Sequence, residues 1–378
     1  MDTGDYDFVV VGAGIAGASV SYELAGLGSV LLLERETTPG YHSTGRSAAQ
    51  YVETYGPPAV RRLTRASRAF YDRPPEGFCA QPLLSARPVM HIATGAQLAA
   101  LGQAFERARA ITPEVTRLDA AEALERVPVL REEALAGALL EPQAMDIDVH
   151  AIHHGYLRAA RRRGAVLVTG AEVGECRRRG ERWRVASSQG VFGAGVVVNA
   201  AGAWCDELAR AAGVAPIGLQ PMRRTAITFD PPAGHDPGAW PMVLDVEERF
   251  YFKPEAGRVL GSPADETPVA PCDVQPEELD VALAVDRIER ATRLRIRRIH
   301  HRWAGLRSFV ADRSLVIGMA ADAPGFFWLA GQGGYGIQTA PAAARAAAAL
   351  IGTGRLPDDL AALGLAPEQL APARLARR

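Results

Sequence analysis

Lysine is nearly missing from this chain of 378 residues: Lys253 is the only one among 42 basic residues, and all the others are arginine. One side chain is left that could form a Schiff base or set a lysine ammonium beside a cofactor. Cysteine is also sparse. Cys79, Cys176, Cys205 and Cys272 are scattered, with no C-x-x-C pair. That argues against a metal knuckle or a disulfide framework and suits a reducing cytoplasm. Neither sign of charge is in excess, and a net charge of −1 steers the chain toward neither nucleic acid nor an anionic membrane. No apolar run reaches the roughly 18 residues of a membrane span, and no basic stretch opens a signal peptide. A soluble, cytoplasmic protein is expected, with peripheral membrane contact left open. His150, His153 and His154 fall at i, i+3 and i+4 on a predicted helix, a spacing able to hold metal, but no acid or cysteine is spaced to join them. His300-His301 alternates faces of a predicted strand and reads as structural.

What is present is concentrated at Gly12-Ala-Gly14-Ile-Ala-Gly17. Tyr6 to Val11 predicts a strand running into this turn, Ile15 to Leu27 a helix leaving it, and Leu31 to Leu33 a second strand that delivers Glu34. Three glycines alone are weak evidence in a chain with 38 of them. Strand, turn, helix and acid in this order form a dinucleotide-binding unit. Gly12 permits the turn, Gly14 lets backbone approach a pyrophosphate, and Gly17 lets helix pack on sheet. The helix N-terminus turns its positive end to the phosphates. An acid at this distance suits a ribose hydroxyl and speaks against a 2′-phosphorylated cofactor; it does not separate NAD from FAD.

Two further junctions resemble the first. Val196 to Val198 leads into Asn199-Ala-Ala-Gly202-Ala-Trp204 and a helix over about 205–212. Phe326 to Leu329 leads into Gly331-Gln-Gly333-Gly334-Tyr335-Gly336 and an alanine-rich helix to Leu350. Asp146 to Arg163 predicts a helix feeding the strand Ala165 to Val168. Between these pieces, prolines punctuate alternating strands such as Arg224 to Phe229 and Phe250 to Phe252, as in an antiparallel sheet with many turns. The expected fold class is α/β: a Rossmann-type domain interleaved with an α+β domain on a mainly antiparallel sheet. The division predicted is 1–81 with 145–215 and 304–378 for the nucleotide domain, and 82–144 with 216–303 for the other.

The strings Gly40 to Ala49, Asn199 to Cys205, Ala304 to Asp312 and Gln332 to Gln338 make this chain resemble the D-amino-acid oxidase, glycine oxidase and sarcosine oxidase superfamily of FAD enzymes. Within it the likeness is to the bacterial D-arginine dehydrogenases, nearly end to end. The resemblance implies FAD. Sarcosine-oxidase-like relatives attach flavin to a cysteine in the C-terminal third, and this chain has none after Cys272, so noncovalent FAD is expected. By the same resemblance Gly12, Gly14, Ile15, Ala16 and Gly17 meet the pyrophosphate, Glu34 with Arg35 the adenosine ribose, and Val173 the adenine. Ser43, Thr44, Arg46, Ser47, Ala48 and Ala49 wrap the flavin, with Ala201, Gly202 and Trp204 in the cofactor wall. Gly333, Gly334, Tyr335, Gly336 and Ile337 set a helix N-terminus beside the flavin N1/O2 edge, where oriented N–H groups stabilise developing negative charge.

The reaction implied is oxidative deamination: the α-hydrogen of an amino acid leaves as hydride to flavin N5, and the imine hydrolyses to a 2-oxo acid and ammonia. A substrate carboxylate needs a fixed bidentate partner, and Arg224 and Arg307 match the carboxylate positions, supported by Tyr251 and Tyr55. Most arginines of any chain are surface ion-pair residues; the motif match sets these two apart. Gly334 and Gln338 match positions near the amine. Where the dehydrogenases carry a histidine, this chain has Gln50, which orients a water but accepts no proton, so activity is expected to rise with pH. Where the arginine-specific relatives carry Arg-Pro-Glu-Met, this chain reads Arg87-Pro88-Val89-Met90. Val89, with Val52, Met242 and Leu244, predicts an apolar side-chain pocket and neutral D-amino acids. Oxidase relatives carry an oxygen-activating lysine before a Leu-Gly pair; Val259 holds that place here, which predicts a dehydrogenase passing electrons to a quinone or another respiratory carrier. The competing readings are an N-methyl- or cyclic-amino-acid oxidase, a 2-hydroxy-acid dehydrogenase, and a partner-dependent electron-relay subunit.

Overall fold

Residues 2–232, 234 and 236–377 are described by the computed structural model, a mixed α/β fold built on two large sheets. The apolar run at the start forms the strand Asp2–Val11, buried from Phe8 onward because it is central: Gly190–Asn199 lies parallel on one side and Val30–Leu33 on the other. Such uninterrupted apolar strands are what a sheet covered on both faces requires. The helix Ile15–Leu24 packs on one face with the helices Val149–Arg162 and Gly336–Thr353.

The strand Gly190–Asn199 is longer than the three residues predicted, because it changes neighbours midway. Residues 190–194 pair with the hairpin strand Arg182–Ser187, and Val197 to Asn199 with Phe326–Ala330. That change brings the second and third glycine junctions beside the first.

The nine-stranded sheet is antiparallel apart from the pairing of Met242–Asp245 with Val89–Ala93. Its strand Ile299–Phe309 pairs with Gln220–Phe229 along almost its whole length. It therefore runs straight through 304, where the sequence suggested a boundary, and carries 304–309 into this sheet. One face is apolar: Met90, Leu140, Ile227, Phe229, Val243, Phe252 and Val259 pack with Val281, Ala284 and Ile288 of the helix Glu278–Ala291. The alternate residues Arg224, Ala226, Tyr251 and Arg307 point the other way, into a cavity.

A proline sits inside the helix Gly336–Thr353 and is accommodated locally. Pro341 has no N–H for the carbonyl of Ile337, and the buried Tyr71 hydroxyl donates to that carbonyl at 2.5 Å instead. Ser67 and Thr64, on the same helix Pro58–Asp72 as Tyr71, also bond to Gly336–Thr353. This lock fixes the helix whose first turn faces the cavity.

Candidate active site

At Gly12 the backbone has φ +99°, and a Cβ there would lie 2.5 Å from the carbonyl oxygen of Ala200. A Cβ on Gly17 would lie 1.7 Å from the Gly12 oxygen. The Gly17 Cα hydrogens therefore rest directly on the Gly12 carbonyl. The helix begins at Ile15 with no acid in its first turn, and only the Thr44 hydroxyl meets its first amide, accepting from Ile15 N–H at 3.0 Å. Glu34 holds the turn from behind, accepting from Ala13 N–H at 2.7 Å and, through its other oxygen, from Glu36 N–H at 2.9 Å. His153, one of the three closely spaced histidines, supports the same turn: its Nε2 donates to the Ala13 carbonyl at 2.8 Å. Burial presses its pKa below the ordinary histidine range.

A cavity of about 310 Å³ opens before this turn, walled by Gly12, Gly14, Glu34, Arg35, Val173, Ala201, Gly202 and Trp204. Arg35 lies 4.0 Å over the Trp204 ring. A second cavity of about 140 Å³ continues from it, the two sharing Gly14, Ser43, Thr44, Ala200 and Gly202. Ile15, Ala16, Arg46, Ser47, Ala48, Gly333, Gly334, Gly336 and Ile337 line this second space, with Arg224, Tyr251 and Arg307 at its far wall. The path thus runs from an acid behind a glycine turn, past two helix N-termini whose N-cap residues make no side-chain bond, to two arginines. An elongated dinucleotide fits it. His42, which the sequence reading did not single out, supports the fit: its Nε2 faces Glu36 at 2.9 Å, and its buried Nδ1, on a residue of the first cavity's wall, has no partner among the described residues. Only its place in the Gly40 to Ala49 string could have marked it.

The predicted site residues separate into two groups. Arg224, Tyr251, Arg307 and Gly334 meet at the second cavity. Arg307 Nη1 donates to the Tyr55 hydroxyl at 3.3 Å, and a Cβ on Gly334 would come within 3.1 Å of both. Arg224 Nη2 pairs with Glu266 at 3.1 Å, while its buried Nε has no partner among the described residues. Burial, with Arg307 nearby, lowers the Arg224 pKa. Burial alone would raise the Glu266 carboxyl, but Arg313, Arg224 and Arg307 hold it below its ordinary value.

Others lie elsewhere. Gln338, expected near the amine, is buried with both ends of its amide engaged: Oε1 accepts from Val52 N–H at 3.1 Å and Nε2 donates to Thr64 Oγ1 at 2.9 Å. It locks the helix to its neighbours. Tyr335 is packed behind Tyr55, with ring centres 5.0 Å apart, and Ala49 packs into the core beside the flavin-wrapping segment. The Arg46 guanidinium turns away from the cavity to Asp273 and the carbonyls of Val274 and Ala304, so it staples the segment in place. Gln50 Nε2 donates to Asp146 Oδ1 at 3.2 Å, and its buried Oε1 has no partner among the described residues. Val89 and Met242 are paired neighbours on the sheet. By strand register they share the face of Leu244 and Tyr251, as does a buried carboxylate the sequence reading missed, Glu141.

Val259 does not stand beside the cavity, as its Leu-Gly neighbours suggested. Val259 points into the apolar core on the opposite face of the sheet, so a lysine there would not reach the cavity. Lys253, two residues after Tyr251, is on the cavity face, but it is buried and paired with Asp146 at 2.7 Å and Glu255 at 3.1 Å.

Curated and solved relatives bear on the same architecture. Human mitochondrial dimethylglycine dehydrogenase is 27% identical over 276 residues, which is 68% of this chain but 30% of that much longer protein. The L-proline dehydrogenase of P. horikoshii superposes with a TM-score of 0.84 at 22% identity, covering 99% of this chain and 98% of that one. The glycine oxidase of Geobacillus kaustophilus superposes at 0.82 with 24% identity, covering 92% and 94%. Among the described residues no helix is long and apolar enough to cross a membrane. With residues 7–350 matching the family described as FAD dependent oxidoreductase (DAO), the chain belongs to that family of FAD-dependent oxidoreductases.

Proposed function

We propose that the protein oxidises D-amino acids with neutral side chains to 2-oxo acids and ammonia, as a dehydrogenase. The observation that carries this reading is the cluster of Arg224, Tyr251 and Arg307 on one wall of the second cavity, with the Tyr55 hydroxyl against Arg307. Two guanidiniums in a cavity, each with a phenol nearby, suit a carboxylate. Bound FAD would supply the acceptor for the hydride. The chain's own part is positional. Arg307 and the Nε of Arg224 grip the carboxylate, and Tyr55 and Tyr251 add hydroxyl contacts. Leu244, Met242 and Val89 take the side chain, and the free Oε1 of Gln50 accepts from the amine or from a water beside it. The names of the solved neighbours, a proline dehydrogenase and a glycine oxidase, support an amine substrate bearing a carboxylate. An N-methyl or cyclic amino acid is the second reading, favoured by the dimethylglycine and proline names.

The test is anaerobic mixing with D- and L-amino acids, sarcosine and proline, following loss of the yellow flavin band. Bleaching by D-leucine, with kcat/KM about a hundredfold above that for D-arginine, is expected, since Val89 stands where the arginine-specific relatives carry their acid and both oxygens of Glu141 are engaged by Thr54 and His91. Bleaching by sarcosine or proline alone would replace the substrate and keep the carboxylate wall. Turnover should be faster with a quinone than with oxygen, because the charge of Lys253 is already held by two carboxylates; the reverse order would make it an oxidase.

We infer also that FAD is held without a covalent bond, as none of the four cysteines lines either cavity. Acid precipitation should then leave the flavin in the supernatant. Yellow colour remaining in the pellet would contradict this.

A further inference from the structure

Thr54 lies between the strand Gln50–Tyr51 and the helix Pro58–Asp72, one residue before Tyr55. Its hydroxyl donates to Glu141 Oε2 at 2.5 Å. The other oxygen of that carboxylate faces His91 Nε2 at 2.8 Å. Glu141 is 5% exposed and ends the strand Gly137–Glu141, directly opposite Val89. Three segments distant in sequence thus meet at one buried carboxylate beside the proposed side-chain pocket.

A buried acid is costly unless it is paired and hydrogen-bonded, and an apolar residue would fill the end of a strand reading Gly-Ala-Leu-Leu at lower cost. The geometry gives the acid a task. The connection around Tyr55 is held at three points: Val52 N–H by Gln338, the Thr54 hydroxyl by Glu141, and the Tyr55 hydroxyl by Arg307. The Thr54 contact reaches across to the strands Val89–Ala93 and Gly137–Glu141, toward the opposite edge of the sheet from the strand of Arg307. Immediately after Tyr55, Gly56 has φ +89°, and its Cβ would lie 2.9 Å from the Tyr335 ring. The chain on that side is therefore fixed by packing. On the other side it is fixed by Thr54.

We propose that Glu141, oriented by His91, is a positioning residue: by holding Thr54 it sets the backbone of Tyr55 and so the place of the Tyr55 hydroxyl beside Arg307. This rests on the reading that Arg307 and Tyr55 bind the substrate carboxylate. Tyr55 would grip the carboxylate and not the reacting carbon, so displacing its hydroxyl removes uniform binding, which raises KM and leaves kcat unchanged.

The experiment compares Thr54→Val, Thr54→Ser, Glu141→Leu and Glu141→Gln in the flavin-loaded enzyme. Readouts are the KM for D-leucine, kcat, and the Kd of benzoate, a carboxylate without an amine, from its perturbation of the flavin spectrum. Thr54→Val and Glu141→Leu should each raise KM and the benzoate Kd about tenfold while kcat changes little. Thr54→Ser and Glu141→Gln keep a donor and an acceptor and should stay near wild type. In a Tyr55→Phe background Thr54→Val should add nothing, since its effect runs through the missing hydroxyl. An unchanged benzoate Kd in Thr54→Val, or full additivity with Tyr55→Phe, would overturn the proposal even if D-leucine is oxidised. A wild-type protein that neither binds benzoate nor is bleached by any amino acid would overturn the proposed function, and this positioning role with it. If Glu141→Leu does not fold, the threonine pair and the Tyr55 cycle still decide.

Discussion

Replacing Arg307 with leucine should lower kcat/KM for an amino-acid substrate by about a thousandfold and leave flavin content close to wild type. A desolvated, hydrogen-bonded charge pair is worth about 2–5 kcal/mol when one partner is truncated, and each 1.4 kcal/mol is a factor of ten. Arg307 stands at the upper part of that range for a reason visible in its surroundings. Among the described residues its Nη1 bonds only to a phenol, at 3.3 Å, and it lines the cavity wall. An incoming carboxylate is its natural counter-ion. Arg224 already has one, Glu266 at 3.1 Å, which is shared with Arg313. Arg224→Leu should therefore cost less, about thirtyfold to a hundredfold. Glu266 also opposes a second carboxylate, so Glu266→Gln should tighten benzoate binding. Steady-state kinetics on the two arginine variants tests the order. If Arg224→Leu proves the more damaging, or if Arg307→Leu retains wild-type kcat/KM, the carboxylate is held elsewhere.

The parts of this molecule that were legible in its sequence are those whose physics is local. A glycine that must have φ > 0, an apolar run with no polar interruption and an acid at a fixed offset each declare their structure within a few tens of residues. Gly12, the strand through Val11 and Glu34 did so. The FAD family was legible because its strings, such as Gly40 to Ala49, are long and contiguous. What escaped was set by strand pairing. Glu141 is distant in sequence from Thr54 and His91, and nothing in Gly137–Glu141 names its partners; the one available signal was an acid closing an apolar run. Val259 misled because its neighbours Leu260 and Gly261 resemble a motif, while the face a strand residue occupies is decided by register. Gln338 misled in the same manner: sequence placed it one helical turn from Gly334, and packing against Thr64 turned its amide away from the cavity.

Gly17→Ala should give a protein that purifies without FAD and melts about 3–10 °C lower. The added Cβ would lie 1.7 Å from the Gly12 carbonyl oxygen, with Leu32 Cδ1 at 3.4 Å on another side. Neither neighbour can yield cheaply. Gly12 is itself wedged against Ala200, 2.5 Å from where its own Cβ would be, and its N–H is bonded to the Leu33 carbonyl at 2.8 Å. Relief requires the helix Ile15–Leu24 to rise off the sheet. That helix is packed against Val149–Arg162 and Gly336–Thr353, so the strain spreads to both helix N-termini that face the cofactor path. Gly14→Ala makes the contrast. Its Cβ meets only the Thr44 hydroxyl, at 3.1 Å, and a hydroxyl can rotate away at the cost of the bond it accepts from Ile15. That variant should fold with a near-normal melting temperature and hold FAD more weakly. The ratio of flavin to protein absorbance, with a thermal melt on each apoprotein, separates the two. A Gly17→Ala protein carrying its full complement of flavin would mean that the helix can shift after all, and that the close approach at Gly17 is not what shapes the phosphate end of the site.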